Sequence, residues 1–240
     1  QQQSAPADTA VYLTSGRGDL ETTLEVLSQM IEHGLPPKPL TFINTVSNSA
    51  CFYVAKQFAL HGRSQFVTRC YAPLESALQL AALDLQTKAV HTALVGSVDI
   101  CTAPLADHRQ RLGVVSDTRV GEGSHWFLLA QTNEANAALA QIDHITTLID
   151  RAALTQWLAQ RSAQQKTLAL ACGQHTDAET AHWLQTHIAH QHFFTTDNTP
   201  WYDSHCGNTL GLFLQQKPAQ TLLHIDCDAD GRFNVLQVSL

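Results

Sequence analysis

Thr45-Val46-Ser47-Asn48-Ser49-Ala50 opens, and Ala93-Leu94-Val95-Gly96-Ser97-Val98-Asp99 closes, the stretch whose order of elements decides the fold. Between them, Cys51 to Leu60 reads as a buried helix ended by His61-Gly62. Gln65 to Thr68 reads as a strand. A helix follows, with Leu74, Ala77, Leu78, Ala81 and Leu85 on one face. Thr92 to Val95 is a continuous apolar run of the kind that a strand buried on both faces shows. Helix, strand, helix and buried strand make an α/β unit.

Outward from this stretch the alternation continues. Val11 to Thr14 is a short strand running into the turn Ser15-Gly16-Arg17-Gly18, and Asp19 can cap a helix with Leu20, Leu24, Leu27 and Ile31 at helical spacing. Gly34 and Pro36 stop that helix. Ser124 to Gln131 reads as a strand, and then the pattern restarts: strand near Ala137–Ile142, helix Arg151–Arg161, strand Thr167–Cys172, helix Ala178–His190. Two strands, Leu222–Cys227 and Phe233–Val238, end the chain around the turn Asp228-Ala229-Asp230-Gly231. The expected organisation is two halves, 11–131 and 132–240, forming one compact unit behind a tail at 1–10 rich in Gln, Ala and Ser.

Of the 240 residues 44% are hydrophobic and only 15% charged, a sparse charged surface that raises the expectation of a covering partner. The net charge of −7 leaves no basic stripe to neutralise phosphates, so nucleic acid is excluded as a partner. No apolar run is long enough for a membrane span, so no integral membrane segment is expected. Six cysteines at 51, 70, 101, 172, 206 and 227 show neither a disulfide framework nor a CxxC knuckle, and read as reduced thiols of a cytoplasmic protein. His182, His187, His190 and His192 crowd one helix and its exit. His182 and His190 fall near one face and His187 does not join them, so a solvated histidine face is expected and no metal. Gly16-Arg17-Gly18 and Gly121-Glu122-Gly123 are turn glycines, since neither continues into a phosphate-binding loop. No cofactor is expected.

The ordered motifs resemble those of the β-ketoacyl synthases of the thiolase superfamily. Residues 45–50 are similar to the family's Asn-bearing helix start, residues 93–99 to its Ala-Leu-Val-Gly-Gly strand end, and Gly121-Glu122-Gly123-Ser124 to the Gly-Glu-Gly-Ala strand entry. Ala171-Cys172-Gly173-Gln174-His175-Thr176 resembles the stretch around the first catalytic histidine. His205 with Gly211 resembles the second, and Gly231-Arg232-Phe233-Asn234-Val235 the Gly-Thr-Asn strand. The resemblance spans about residues 11 to 240. It implies a layered αβαβα thiolase-like fold of two related halves, without the large capping insertions of longer ketosynthases.

The family's condensation needs a thiolate at a helix N-terminus and two imidazoles on the developing oxyanion. Counting along the resemblance places Tyr71 at the nucleophile position and Cys172 at the first histidine, with only His205 kept. A phenol of pKa about 10 does not replace a thiolate. A one-residue slip at the elbow would instead make Cys70, beside Arg69, the nucleophile.

The eroded set resembles the chain length factors of type II polyketide systems, and in size and in Val46-Ser47-Asn48 the short forms of aryl polyene pathways. What the resemblance implies is a non-catalytic, chain-length-determining subunit that pairs with a catalytic ketosynthase and is served by an acyl carrier protein. Met30 and Phe42 would limit the acyl tunnel. Gln65, Phe66, Val67 and Thr68 would form the pairing edge. The alternatives are an active β-ketoacyl carrier-protein synthase using Cys70 and a stand-alone acyl-binding module.

Overall fold

Every residue of the strand Ala10–Ser15 (β1) is buried, and the first sheet is built around it. A computed structural model describes residues 5–131, 138–161, 167–195 and 199–240. The chain forms two units, Gln1–Gln131 with Pro200–Asp203, and Thr132–Thr199 with Ser204–Leu240.

In the first unit β1 is followed by helices α1 (Leu20–Ile31), α2 (Pro39–Asn44) and α3 (Asn48–Gln57), strand β2 (Ser64–Thr68), helix α4 (Pro73–Gln86), strand β3 (Thr92–Asp99), helix α5 (Leu105–Leu112) and strand β4 (Gly123–Ala130). The sheet order is β2-β1-β3-β4, with β1 parallel to both neighbours and β4 antiparallel to β3. Asp19 caps α1 as its position suggests, accepting from the Thr22 N–H at 3.1 Å. Helix α4 buries the stripe read from sequence, Leu74, Ala77, Leu78, Ala81 and Leu85. Gly96 lies opposite Trp126 across β3 and β4, and a Cβ there would strike the indole ring. Pro200–Asp203 returns to this unit through a parallel bridge between Trp201 and Val120 and an ion pair between Asp203 and Arg17 at 3.1 Å.

The second unit holds β5 (Gln141–Leu148), α6 (Arg151–Ala159), β6 (Leu168–Cys172), α7 (Ala178–His187), β7 (His192–Phe194), α8 (Cys206–Gln216), β8 (Thr221–Cys227) and β9 (Phe233–Ser239). Its sheet runs β5-β9-β8-β6-β7. Strand β6 is parallel to β7 and β8, and β9 is antiparallel to β8. Four of these strands repeat the first sheet's connectivity: β6, β7, β8 and β9 take the parts of β1, β2, β3 and β4. Leu154, Leu170, Leu184, Leu223, Ile225 and Val235 form its core.

Several boundaries differ from the sequence reading. The chain is ordered into β1 by Ala10, inside the expected tail, because Thr9 is buried and its hydroxyl meets that of Thr92 at 2.8 Å. The strand expected at 137–142 runs instead from Gln141 to Leu148, and Ala137 lies outside the described residues. Helix α7 ends at His187, because Ile188 leaves the helical region (φ −108°, ψ 115°) to bury its side chain, so His190 shares no helical face with His182.

A buried polar knot ties β1 to α4. The Tyr12 hydroxyl donates to Asp84 Oδ2 at 2.5 Å, and Arg63 Nη1 donates to the same oxygen at 2.7 Å. The Tyr12 hydrogen bond is the largest influence on Asp84. With Arg63 it outweighs burial and holds the carboxyl below its usual range. Asp84→Ala will leave a buried phenol unpartnered and cost about 2–3 kcal/mol at neutral pH. Because the folded-state value is depressed, the carboxylate's contribution is present above the unfolded value of about 3.9 and lost as pH falls through the folded value. The stability gap between parent and variant in denaturant titrations should therefore narrow below about pH 4; an equal gap at pH 3 and pH 7 would refute the assignment.

Candidate functional site

Strand β2 delivers the chain to the elbow Arg69-Cys70-Tyr71-Ala72 ahead of α4. Ala72 adopts a left-handed conformation (φ 49°, ψ 50°) and Pro73 fills the first helical position, whose N–H would have no intrahelical partner. Arg69 is turned along the helix, with Nη1 donating to Ser76 Oγ at 2.9 Å, and Ser76 in turn donates to the Ala72 carbonyl. Cys70 is exposed and Tyr71 half-buried. Both candidate nucleophile positions thus lie in the first unit, two and three residues before the helix begins.

The remaining pair lies in the second unit. Cys172 ends β6 and is buried. Burial first, and the neighbouring Asp226 charge second, push its thiol up to about 12. It stays protonated at neutral pH and offers a weak donor where an imidazole would offer a strong one. His205 is buried at the N-terminus of α8, with the Asn208 amide 3.4 Å from its Nε2. The helix after β2 and the helix after β7 thus carry Tyr71 and His205 at topologically matching elbows.

The carboxyl ends of the parallel strands hold a polar feature that sequence reading missed. Asp99 ends β3 and accepts from the Gly16 N–H at 2.8 Å and the Ser15 hydroxyl at 3.1 Å. Asp226, at the matching place in β8, lies 3.0 Å from His175 Nδ1. It also accepts from the His175 N–H at 3.2 Å, the Thr176 hydroxyl at 3.2 Å and the Cys227 N–H at 3.1 Å. Burial works to raise the Asp226 pKa, but His175, His224 and Thr176 outweigh it and the carboxyl sits below its ordinary value. A Cβ on Gly173 would fall inside that carboxylate. The legible signal was a lone aspartate inside the apolar string Leu222-Leu223-His224-Ile225-Asp226.

No family model and no curated protein matches the sequence. Solved structures do match. The ishigamide ketosynthase/chain length factor superposes with a TM-score of 0.78 at 19% identity, over 100% of this chain and 75% of that one. A β-ketoacyl synthase from Burkholderia phymatum gives 0.73 at 12% identity, over 100% and 77%. A type II polyketide acyl-carrier protein in complex with its ketosynthase bound to the hexaketide gives 0.70 at 12%, over 98% and 76%. The fold is the α/β, thiolase-like fold of ketosynthases.

On that ketosynthase-like fold the expected pairing edge Gln65–Thr68 is the outer strand of its sheet. Strand β2 pairs with β1 on one side, and its other side carries no partner among the described residues. Gln65 and Thr68 are exposed, Phe66 and Val67 half-buried. Helix α3 packs on β2 and β1, and α2 packs on both α1 and α3. Among the described residues, the outward faces of α1–α3 and their connections hold eleven of the twenty exposed large apolar side chains, an apolar concentration on this part of the first unit. Met30 (50% exposed) and Phe42 (53%) belong to it. Among the described residues no helix is long and apolar enough to cross a membrane.

Proposed function

We propose that this chain is the non-catalytic, chain-length-determining subunit of a type II ketosynthase heterodimer, of the short kind that the sequence resemblance ties to aryl polyene pathways. It acts in the cytoplasm on acyl chains delivered by an acyl carrier protein. The observation that carries the reading is the apolar face of α1–α3 beside the open edge of β2. An unpaired strand edge flanked by Phe52, Tyr53 and Phe58 is unfavourable in water and fits a subunit that spends its life covered. Two supports come from the elbows. The phenol of Tyr71 stands where the resemblance asks for a thiolate, and the buried Cys172 thiol where it asks for an imidazole. The ishigamide ketosynthase/chain length factor, whose fold this chain shares, bears both kinds of subunit in its name.

One observation favours a second reading, an active synthase: Cys70 is exposed at the elbow, directly after Arg69. A stand-alone acyl-binding module fits the first unit poorly. A pocket between its Ser15, Asp99, His108 and Tyr202 has about 10 Å³ of room, near the size of one water and far below an acyl chain. The deciding experiment incubates the purified chain, alone and with a co-expressed catalytic ketosynthase, with acyl- and malonyl-carrier protein. The chain alone should form no condensation product, the pair should, and Cys70→Ala should leave the pair's rate unchanged. Condensation by the chain alone that disappears in Cys70→Ala would establish the second reading instead.

A further inference from the structure

Two arginines bracket the open edge of the first sheet. Strand β2 itself, Ser64–Thr68, carries no charge, and Arg63 and Arg69 stand one residue beyond its two ends. The register decides which backbone groups face outward. The Val11 N–H donates to the Arg63 carbonyl at 2.7 Å, and Val11 lies beside Ser64. In a parallel ladder the alternation then turns the N–H and C=O groups of Gln65 and Val67 towards β1. Those of Ser64, Phe66 and Thr68 point to the open side.

Such an edge meets a second copy of the chain most fully in an antiparallel pairing about a twofold axis at Phe66. Phe66 then faces Phe66, Ser64 faces Thr68, and every outward N–H and C=O of the strand has a partner. The same register sets Arg63 of each copy directly opposite Arg69 of the other, with Cβ atoms about 4.5–5.5 Å apart on one face. That face is the α4 side, where Arg63 Nη1 reaches Asp84 Oδ2 at 2.7 Å and Arg69 Nη1 reaches Ser76 Oγ at 2.9 Å. The Asp84 carboxylate is only 13% exposed and already holds Arg63 and Tyr12, so it has little left for another guanidinium. Arg69 is the uncompensated charge. It is half-buried, its hydrogen bond goes to a neutral hydroxyl, and among the described residues it makes no ion pair. Self-pairing would desolvate this guanidinium against a like charge, twice over.

We infer that Arg69, set against Arg63, closes the β2 edge to a second copy of this chain and selects a foreign antiparallel strand that places a carboxylate opposite Arg69. A carboxylate there takes the guanidinium fork in paired, charge-assisted hydrogen bonds and supplies the counter-charge that a second copy lacks. The discrimination comes from repulsion in the wrong pair as much as from attraction in the right one. That the foreign strand belongs to a catalytic ketosynthase rests on the heterodimer reading; the exclusion of a second copy does not.

Arg69→Glu supplies the carboxylate within the chain itself, opposite Arg63 of a second copy at both ends of the pairing. Sedimentation velocity of the isolated full chain across concentration should show Arg69→Glu self-associating at least about tenfold more tightly than the parent. The gain should shrink at about 0.5 M salt, where exposed charge pairs are screened. Arg69→Gln removes the charge without reversing it and should fall between the two. Ser64→Pro removes an outward N–H at the first residue of the strand, where proline is tolerated, so adding it to Arg69→Glu should restore parental association. In a second arm, Arg69→Glu should lower capture of a co-expressed ketosynthase by at least about tenfold. A parent that self-associates as tightly as Arg69→Glu, a gain that survives Ser64→Pro, or undiminished ketosynthase capture by Arg69→Glu would each overturn the inference. If the parent captures no ketosynthase while Arg69→Glu still gains self-association, the heterodimer reading fails and the exclusion of a second copy is upheld.

Discussion

In the heterodimer proposed above, Phe52→Asp will separate this chain from its catalytic ketosynthase while leaving its own fold intact. Phe52 is 59% exposed on α3, and its ring makes an edge-on approach to the neighbouring Tyr53. No cavity forms when the ring is removed, so the isolated chain should keep its stability within about 0.5 kcal/mol. In an assembled pair the same position would lose a buried aromatic anchor and gain a carboxylate without a partner. Truncating such an anchor costs about 2–4 kcal/mol and an unpaired buried charge adds to that, so affinity should fall at least roughly a hundredfold. Tagged parent chain should retain stoichiometric ketosynthase on purification, and Phe52→Asp should elute alone. The variant should also be the more soluble isolated protein, because an exposed apolar ring is replaced by a charge. Ile149→Asp is the control, a large apolar residue of the second unit that is 73% exposed. Equal loss of partner in both variants, or retention in both, would remove the α1–α3 face from the interface.

The sequence made this fold legible where one face of an element is buried and the other wet, or where both are buried. Helix α4 kept its apolar stripe and β8 and β9 their runs, with the turn between them tied by Asp228 Oδ1 accepting from Asp230 and Arg232. Helix α1 forms where its spacing indicated but buries only Val26, leaving Leu27 and Ile31 of the expected stripe exposed. Where that contrast fails, the elements were unreadable. Strand β5 alternates Asp143, His144, Thr146 and Thr147 with two isoleucines, and Leu148 half-buries at its end, so its polar string masks its period. Helix α5 is mostly polar and buries only His108 and Leu112. Helix α8 contains Gly207 and Gly211, which argue against a helix locally and are overridden by the burial of Leu210 and Phe213. The site divides the same way. Tyr71, Cys172 and His205 could be reached by counting along motifs, whereas the His175–Asp226 contact joins residues 51 apart and follows from strand register alone.

Shortening Met30 or Phe42 tests whether the chain-length role belongs to this surface, and the exposure of the two residues makes the test sharp. A side chain in a packed core leaves a cavity when cut to alanine, at a cost of about 2–5 kcal/mol. Met30 and Phe42 are half-exposed, so that cost has no source here, and Met30→Ala and Phe42→Ala should each melt close to the parent. If the residues floor an acyl tunnel completed by the partner, truncation lengthens the space open to the growing chain. Each added CH₂ that finds room contributes about 0.8 kcal/mol of burial, so a two-carbon extension gains about 1.6 kcal/mol, roughly a fifteenfold shift between adjacent products. The reconstituted pair carrying either variant should therefore release longer chains, read as a displaced product distribution by mass spectrometry. An unchanged distribution with unchanged melting would make both residues ordinary members of the exposed face, and a large loss of stability would assign them to packing. Only lengthened products at parental stability assign these two side chains to the end of the tunnel.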